Sequence, residues 1–292
     1  EEERVPPPRM ADLPEEVACD CPQALAQVLR DSLGGAFRPV MQALRRRAPV
    51  FVRVNTLVTT REAAAAALAE EGIATRPHPL SPSALEITEN ARLVQRSDAY
   101  HGGLIELQDA ASQAVADLMP VTPGGRVLDF CAGGGGKTLA LAGRARARFH
   151  AHDVAPERMR DLPVRASRAG VEVHGLTTAD LADAAPFDLV LCDVPCSGSG
   201  AWRRSPEAKW RTSARDLARL MAEQDSILST AARLVAPGGA LGYATCSLIA
   251  AENGDRVMAF LDGNPSWRMV DERCLTPLDG GDGFYAAVLR RV

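Results

Sequence analysis

The stretch that decides the fold is RVLDFCAGGGGKT, residues 126–138. An apolar run typical of a buried strand leads directly into four glycines that open a helix. Glycines at such a turn let a ligand approach the backbone and the helix N-terminus closely. A phosphate-binding P-loop would need glycine at position 131, and Cys131 stands there instead. The loop therefore predicts either a nucleotide-like ligand of another kind or a tight turn without a ligand.

Strands and helices alternate regularly on both sides of this stretch, from residue 108 onward. Five apolar strands are predicted at 126–130, 149–152, 171–174, 187–192 and 240–244, with helices beginning near 138, 156, 213 and 252. Two further strands, 267–270 and 284–289, close the chain. This order predicts an α/β fold, a doubly wound parallel sheet with the layout of a Rossmann-like methyltransferase.

Aspartates follow three of the predicted strands. Asp153 lies about 20 residues beyond the glycine loop, where a carboxylate can accept the ribose hydroxyls of an adenosine ligand. Asp180 follows the third strand and is predicted to meet the adenine, and Asp193 ends the fourth. Each aspartate alone could equally be a helix cap or a solvated loop residue.

The chain before residue 108 divides into two predicted parts. Residues 1–48 hold an acidic, proline-rich tail, expected to lack regular structure over 1–20, and two short helices broken at Gly34 and Gly35. Residues 49–107 predict a small α+β module with an RNA-recognition-like sheet, in which Thr60 caps an alanine-rich helix. Residues 108–292 form the predicted catalytic domain.

Composition narrows the function classes. The 292 residues are 46% hydrophobic, and neither a membrane span nor a secretory signal is indicated, so a cytoplasmic, monomeric protein is expected. The net charge of −4 would argue against a nucleic-acid enzyme, but the excess acid lies in residues 1–20, which hold seven acids against two arginines. Residues 201–220 are basic, with Trp202 and Trp210 interleaved, which suits RNA contact; a solvated helix face is the alternative.

Seven cysteines without a signal peptide indicate free thiols. Cys274 reads as a small buried hydrophobe. Cys196, in DVPCSGSG, and Cys246, in YATCS, each follow an apolar run. If those runs are neighbouring parallel strands, both sulfurs emerge at one sheet edge, where one could attack a substrate and the other could assist its release. Simple burial and a zinc site are the alternatives, and no metal site is predicted because no adjacent C-x-x-C pair is present.

Taken together, these motifs resemble the Fmu/Sun family of RNA 5-methylcytosine methyltransferases. They are residues 129–138 (DFCAGGGGKT), 193–200 (DVPCSGSG), 203–204 (RR), 209–210 (KW), 245–247 (TCS), 252–253 (EN) and 281–285 (GDGFY). The chain departs from the family at Gly133 and Gly134, where Ala-Pro is usual, and in an N-terminus too short for the helical RNA-binding domain of ribosomal RNA members.

The resemblance implies a role for each candidate residue. Cys246 would be the nucleophile, Cys196 would assist breakdown of the adduct, and Asp193 would contact the cytosine edge. Residues on their own could not rank the two sulfurs. S-adenosylmethionine would be bound by the loop and the strand ends, that is by Cys131, Ala132, Gly133, Gly134, Gly135, Gly136, Lys137, Asp153, Asp180 and Asp193.

Cytosine C5 is a poor nucleophile, so a thiolate must first add to C6, which explains the need for a reactive cysteine. Lys137 and the local arginines are candidates for lowering its pKa. The resemblance favours ribosomal RNA over transfer RNA as the partner. A methyltransferase of another substrate and a non-catalytic RNA-binding assembly factor are the remaining alternatives.

Overall fold

The computed structural model describes residues 13–292, which form two β-sheets with helices packed on them. The strands are β1 (Val50–Val54), β2 (Thr75–Pro77), β3 (Ala84–Ile87), β4 (Ile105–Leu107), β5 (Arg126–Asp129), β6 (Arg148–Ala151), β7 (Val173–Gly175), β8 (Phe187–Asp193), β9 (Val235–Thr245), β10 (Trp267–Leu275) and β11 (Phe284–Arg291). The α-helices are α1 (Glu15–Ala18), α2 (Gln23–Leu33), α3 (Phe37–Leu44), α4 (Arg61–Glu70), α5 (Asp98–His101), α6 (Ala110–Leu118), α7 (Gly136–Ala142), α8 (Leu162–Ala169), α9 (Leu181–Ala184), α10 (Ala214–Ala232) and α11 (Gly254–Asp262). Within residues 13–292, no helix combines the length and apolar content needed to cross a bilayer.

The larger sheet has the strand order β10-β11-β9-β8-β5-β6-β7. Strands β5 to β9 pair in parallel, and β11 and β10 add antiparallel strands at one side. The predicted doubly wound sheet with two terminal strands is thereby confirmed. All five parallel strands end at the same edge, which places the loops that follow them together.

Helices cover both faces of this sheet, and β9 shows how the sequence achieves it. Leu241 and Tyr243 point into the core under α10 and α11, whereas Ala240 and Ala244 face the core under α6 and α7. The alternation follows the two-residue period of a strand. Strand β9 begins at Val235, five residues before its predicted start, because a bulged segment around Gly238, at φ +71°, continues the pairing with β8.

The smaller sheet is antiparallel, with the order β2-β3-β1-β4. Helix α4 packs on it through Leu68, against Val52 and Leu85, and its N-terminus is capped by Thr60, which accepts a hydrogen bond from the Ala63 N–H at 3.2 Å. The predicted α+β module is confirmed. Strand β4 was not predicted, because three residues are too few to show a period.

The N-terminal helices pack against the larger sheet's loops. Leu25, Leu29 and Met41 of α2 and α3 form a core with Trp202 and Leu248, which follow β8 and β9. The break between the two helices falls at Gly34–Ala36, as predicted.

The acidic N-terminal segment is only partly described. Residues 1–12 of the tail, predicted to lack regular structure, lie outside the described residues. For the described part that expectation was wrong, since α1 forms where Arg30 pairs with Glu15 at 3.2 Å and Glu16 at 2.7 Å. The domain boundaries at 48 and 107 stay predictions.

Candidate active site at the carboxyl edge of the larger sheet

Two cysteines meet where the neighbouring strands β8 and β9 end. Cys196 lies three residues beyond Asp193, the last residue of β8, and Cys246 directly follows Thr245, the last of β9. Their sulfur atoms are 3.5 Å apart, within hydrogen-bond distance for thiols, and both residues are half-buried. The structure therefore brings together the two residues for which the sequence predicted a common edge.

The two thiols differ in acidity. A hydrogen bond from Cys196 lowers the pKa of Cys246 most, and the nearby Lys137 ammonium lowers it further, so that the net shift is downward in spite of burial. The same hydrogen bond raises the pKa of Cys196 well above its ordinary value, together with burial and the charges of Cys246 and Glu252. The coupling therefore favours loss of the proton from Cys246 before Cys196.

Lys137 and Asp193 form a buried ion pair beside these sulfurs. The Lys137 ammonium lies 2.7 Å from the Asp193 carboxylate and 4.8 Å from the ring centre of Phe284. Burial lowers the pKa of Lys137, but Asp193 and Cys246 outweigh it, and the pKa lies above its ordinary value. Lys137 therefore remains a cation at neutral pH and stabilises the negative charge on Cys246.

The arginines that follow Cys196 do not take part in this. Arg203 and Arg204 both bind the buried carboxylate of Asp282, and Arg204 also binds Asp109 at 2.7 Å. Of the candidates for lowering the thiol pKa, Lys137 is among the causes that act on Cys246, whereas Arg203 and Arg204 are engaged in ion pairs.

Ion pairs engage four of the six basic side chains in residues 201–220, namely Arg203, Arg204, Lys209 and Arg219. Lys209 is paired with Asp20, and Trp202 is buried under α2 and α3. Trp210, by contrast, is 60% exposed. The exposed arginines beside it are Arg211, Arg215 and Arg219.

A largely apolar cavity of about 330 Å³ opens at the ends of β5, β6 and β7. Cys131, Asp153 and Thr178 contribute from the strand ends, and helix α10 closes the other side, with Ile227 among its lining residues. Asp153 is buried and accepts hydrogen bonds from the Gly133 and Ala155 N–H groups at 2.9 and 3.0 Å. A buried carboxylate beside an apolar wall suits a nucleoside, whose ribose is polar and whose base is flat and apolar.

Sequence reasoning missed two contributors to this cavity. Arg158 lies 3.1 Å from Asp153, and helix α10 supplies Glu223, Ser226, Ile227 and Thr230. Arg158 could have been suspected from its place five residues after Asp153. The approach of α10 depends on tertiary packing, and no local signal predicts it.

The glycine loop serves the turn and the packing of its own helix. Gly135 has φ +78°, and a Cβ there would lie 2.2 Å from Leu162, so only glycine fits. The Gly136 carbonyl accepts a hydrogen bond from Arg53 at 2.8 Å. Gly134 faces Arg165, and the Ala132 N–H donates to the His152 carbonyl. These contacts support the tight-turn alternative, and ligand contact by residues 132–136 stays a prediction.

Asp180 is not brought to the cavity. It is exposed at the start of α9 and accepts hydrogen bonds from the Thr177 N–H and hydroxyl at 2.9 and 2.6 Å, which lower its pKa. Thr178, which also follows β7, lines the cavity instead. The carboxylate closes the turn before α9 and makes no capping hydrogen bond to the helix, which favours the solvated-loop reading of Asp180; its contact with adenine stays a prediction.

We assign no catalytic role to four further cysteines, which are Cys19, Cys21, Cys192 and Cys274. Cys19 and Cys21 are buried with the N-terminal helices, and Cys192 is buried in the sheet. Cys274 is exposed on the edge strand β10, so the expectation of burial was wrong. Residues 13–292 contain no cluster of three His, Cys, Asp or Glu side chains able to hold a metal ion.

Solved structures with the same architecture include methyltransferases. The crystal structure of PH0851 matches with a TM-score of 0.89 at 28% identity, covering 99% of this chain and 70% of that one. NSun6 from Pyrococcus horikoshii, solved with SFG, matches with a TM-score of 0.81 over 93% of this chain and 98% of that one; at 17% identity it supports the fold alone.

The relatives found by sequence are named as methyltransferases. Ribosomal RNA small subunit methyltransferase B from Xylella fastidiosa is 34% identical over 289 residues, and that from Erwinia tasmaniensis is 32% identical over 282. Each match covers 92% of this chain but 66% of the relative, so the chain spans just under two thirds of their length.

Family models match the chain in two segments. Residues 21–93 match the model described as Methyltr_RsmF/B-like, ferredoxin-like domain, which includes α2 and α3 as well as the smaller sheet's first strands. Residues 116–286 match the model described as 16S rRNA methyltransferase RsmB/F. The chain therefore belongs to the RsmB/F family of 16S rRNA methyltransferases.

Proposed function

We propose that this protein methylates C5 of a cytosine in RNA, with small-subunit ribosomal RNA as substrate and S-adenosylmethionine as methyl donor. The observation that carries the proposal is the pair of sulfurs 3.5 Å apart, one of them acidic beside a buried lysine. Family membership supports an RNA methyltransferase, and the names of the relatives support ribosomal RNA.

The first step uses Cys246 as nucleophile. Its thiolate adds to C6 of cytosine, a C6–S bond forms, and the electrons of the C5–C6 double bond make C5 nucleophilic while N3 takes a proton from an acid. Asp193, at the end of β8 beside Lys137, is positioned to contact the base edge. When bound, S-adenosylmethionine supplies an electrophilic methyl group to C5.

The second step uses Cys196. A base must remove the C5 proton, after which the C5–C6 double bond re-forms, the Cys246 thiolate leaves and N3 returns its proton to the acid that supplied it. In the free protein, the hydrogen bond to Cys246 and its negative charge are among the causes that raise the pKa of Cys196. Once Cys246 is bonded to carbon, its negative charge is gone and its sulfur is only a weak hydrogen-bond acceptor. Cys196 can then lose its proton and assist release, so the order of the two thiols follows from their coupling.

The cavity beside Asp153 would hold the methyl donor. Asp153 is buried at its wall and would accept ribose hydroxyls in place of the Arg158 guanidinium, which lies 3.1 Å from it and is 54% exposed. Ile227 and Pro195 would pack against the base. Lys137 holds the Asp193 carboxylate, at the end of β8, by a hydrogen bond of 2.7 Å.

RNA contact is assigned to the exposed side of the 201–220 segment and to the smaller sheet. Trp210 can stack on an unpaired base, and the neighbouring arginines can neutralise phosphates. The target cytosine must leave its stack to reach the sulfurs, so a loop or bulge in folded RNA is the expected substrate.

The experiment that tests the function is in-vitro methylation followed by bisulfite sequencing. The protein and S-adenosylmethionine are incubated with 16S ribosomal RNA and, separately, with total transfer RNA. Protection of a defined cytosine in 16S RNA, lost in Cys246→Ala, is expected. Protection in transfer RNA alone would favour the transfer RNA alternative, and RNA binding without any protection would favour an assembly factor.

A further inference from the structure

Glu252 is a fully buried carboxyl side chain that lies beneath both cysteine loops. It ends the 3₁₀ turn Ala250–Glu252, shortly after Cys246. A carboxylate in such a position is costly unless donors surround it. Its two oxygens accept from the Ser197 N–H at 2.8 Å, the Ser197 hydroxyl at 2.5 Å, the Ser247 hydroxyl at 2.5 Å and the Gln224 amide at 3.1 Å.

The donors belong to the residues that directly follow the two cysteines. Ser197 comes after Cys196, and Ser247 comes after Cys246, so one carboxylate anchors both loops within one residue of each sulfur. Gln224 also donates to the Pro195 carbonyl at 2.9 Å, which ties the same anchor to the residue before Cys196.

Weaker links join the loops directly. The hydroxyls of Ser197 and Ser247 lie 3.2 Å apart, and the Gly200 N–H donates to the Cys246 carbonyl at 2.9 Å. The two hydroxyls are oriented by donating to Glu252, since a carboxylate accepts only. Without the carboxylate, these hydroxyls lose their shared acceptor.

We propose that Glu252 is a positioning residue: by binding Ser197 and Ser247 on one carboxylate, it holds the two sulfurs at hydrogen-bond distance, with Cys196 donating to Cys246. The inference rests on the proposed function, in which Cys246 attacks and Cys196 assists release. Glu252 acts through the loops and not on the substrate.

The ionisation of Cys246 therefore depends on Glu252, a residue that does not act on the substrate. The hydrogen bond from Cys196 is the largest cause of the lowered pKa of Cys246. If the sulfurs drift apart, this contact is lost while burial remains, and burial favours the neutral thiol. The charge of Glu252 itself raises the pKa of Cys246, but it is the smallest of the causes and the hydrogen bond from Cys196 is the largest. Loss of Glu252 together with that hydrogen bond therefore raises the pKa of Cys246 and misplaces the nucleophile.

The test compares Glu252→Ala and Glu252→Gln with wild type. The amide of Gln can keep the bonds to the Ser197 N–H and Gln224, so it should restore part of what Ala removes. Glu272→Gln serves as control, because that carboxylate binds the Tyr285 hydroxyl on β10 and β11 and touches neither loop. Alkylation of Cys246 by iodoacetamide is followed across pH by mass spectrometry, without RNA, and kcat and KM are measured on 16S RNA.

For Glu252→Ala we expect the alkylation midpoint to rise by about one pH unit, which makes alkylation about tenfold slower at neutral pH. The kcat should fall about 100-fold, as for a misplaced reactive group, with KM for RNA within about threefold. The kcat of Glu252→Gln should lie between those of Ala and wild type, because Gln keeps part of the hydrogen bonds, and Glu272→Gln should match wild type.

A wild-type midpoint in folded Glu252→Ala would overturn the inference. Should the Ala variant not fold, Glu252→Gln decides: a wild-type kcat without a rise of the midpoint overturns the inference, and a raised midpoint supports it. If wild-type protein methylates no RNA, the proposed function fails, but the alkylation profile still shows whether Glu252 positions the sulfurs.

Discussion

Replacing Lys137 by Met should separate the electrostatic support of the thiolate from the stability of the fold. The substitution keeps the side chain's length and removes its charge, which leaves the Asp193 carboxylate, 32% exposed, without its partner at 2.7 Å. Breaking a buried pair costs about 3–5 kcal/mol, and the partial exposure of Asp193 places this case near the lower value. A loss of about 3 kcal/mol corresponds to a fall in Tm of roughly 6–10 °C for a chain of this size.

The same substitution should make Cys246 less acidic. Lys137 lowers the pKa of Cys246, whereas Asp193 raises it, so removing the cation leaves the charge of Asp193 unopposed while the hydrogen bond from Cys196 remains. A rise of about one unit would make the thiolate about tenfold scarcer at neutral pH, and the alkylation profile would move to higher pH. Iodoacetamide labelling across pH measures this directly at temperatures where the variant is folded.

The chain supplies its own control, because Lys209 is its only other lysine. Lys209 is also buried in an ion pair, with Asp20, on the side of the N-terminal helices. Lys209→Met should lower the Tm, though less, since Asp20 is 47% exposed, and should leave the Cys246 profile unchanged. An unshifted profile in folded Lys137→Met, or an equal shift in both variants, would refute the reasoning.

Three further predictions concern the cavity, the cysteine loop and the RNA surface. Asp153→Ala should weaken S-adenosylmethionine binding by tenfold or more, about 1.4 kcal/mol, in calorimetry, and an unchanged Kd would contradict the cavity assignment. In Gly200→Ala the new Cβ would lie 2.2 Å from the Gly283 carbonyl, so Tm should fall by an amount equivalent to about 1–3 kcal/mol, whereas Gly35→Ala, with open space around it, should not lower it. Trp210→Ala should raise the Kd for RNA about tenfold by loss of stacking and leave kcat at saturating RNA unchanged; an unchanged Kd would remove Trp210 from the RNA surface.

The larger sheet was predictable because its strands are short apolar runs at regular spacing. Residues 126–130 and 187–192 carry no competing signal, and both became strands. The first half of β9 was missed because Pro237, Gly238 and Gly239 normally mark a turn. There, tertiary pairing with β8 outweighed the local preference.

The candidate site was predictable where function depends on position at a strand end. Cys196, Cys246 and Asp193 could be placed in this way, since parallel neighbours end at one edge. Arg203 could not be interpreted, because its partner Asp282 lies 79 residues away and only the folded chain brings them together. Charge counted along the sequence does not reveal which charges are already paired.

Burial at the sheet's edge was the least predictable property. Cys274 was expected inside because cysteine is usually buried. It lies on β10, the outermost strand, where side chains have no further neighbour on one side. Whether a strand is central or outermost depends on the topology of the sheet. The type of a single residue carries no information about that topology.

The central claim is that Cys246 attacks and Cys196 releases. The most direct measurement is denaturing gel electrophoresis of each cysteine variant after incubation with 16S RNA and S-adenosylmethionine. Cys196→Ala should accumulate a covalent protein–RNA adduct, because Cys246 still adds to the base and release is impaired, whereas Cys246→Ala should form none. An adduct in Cys246→Ala and none in Cys196→Ala would contradict the assignment of the two roles.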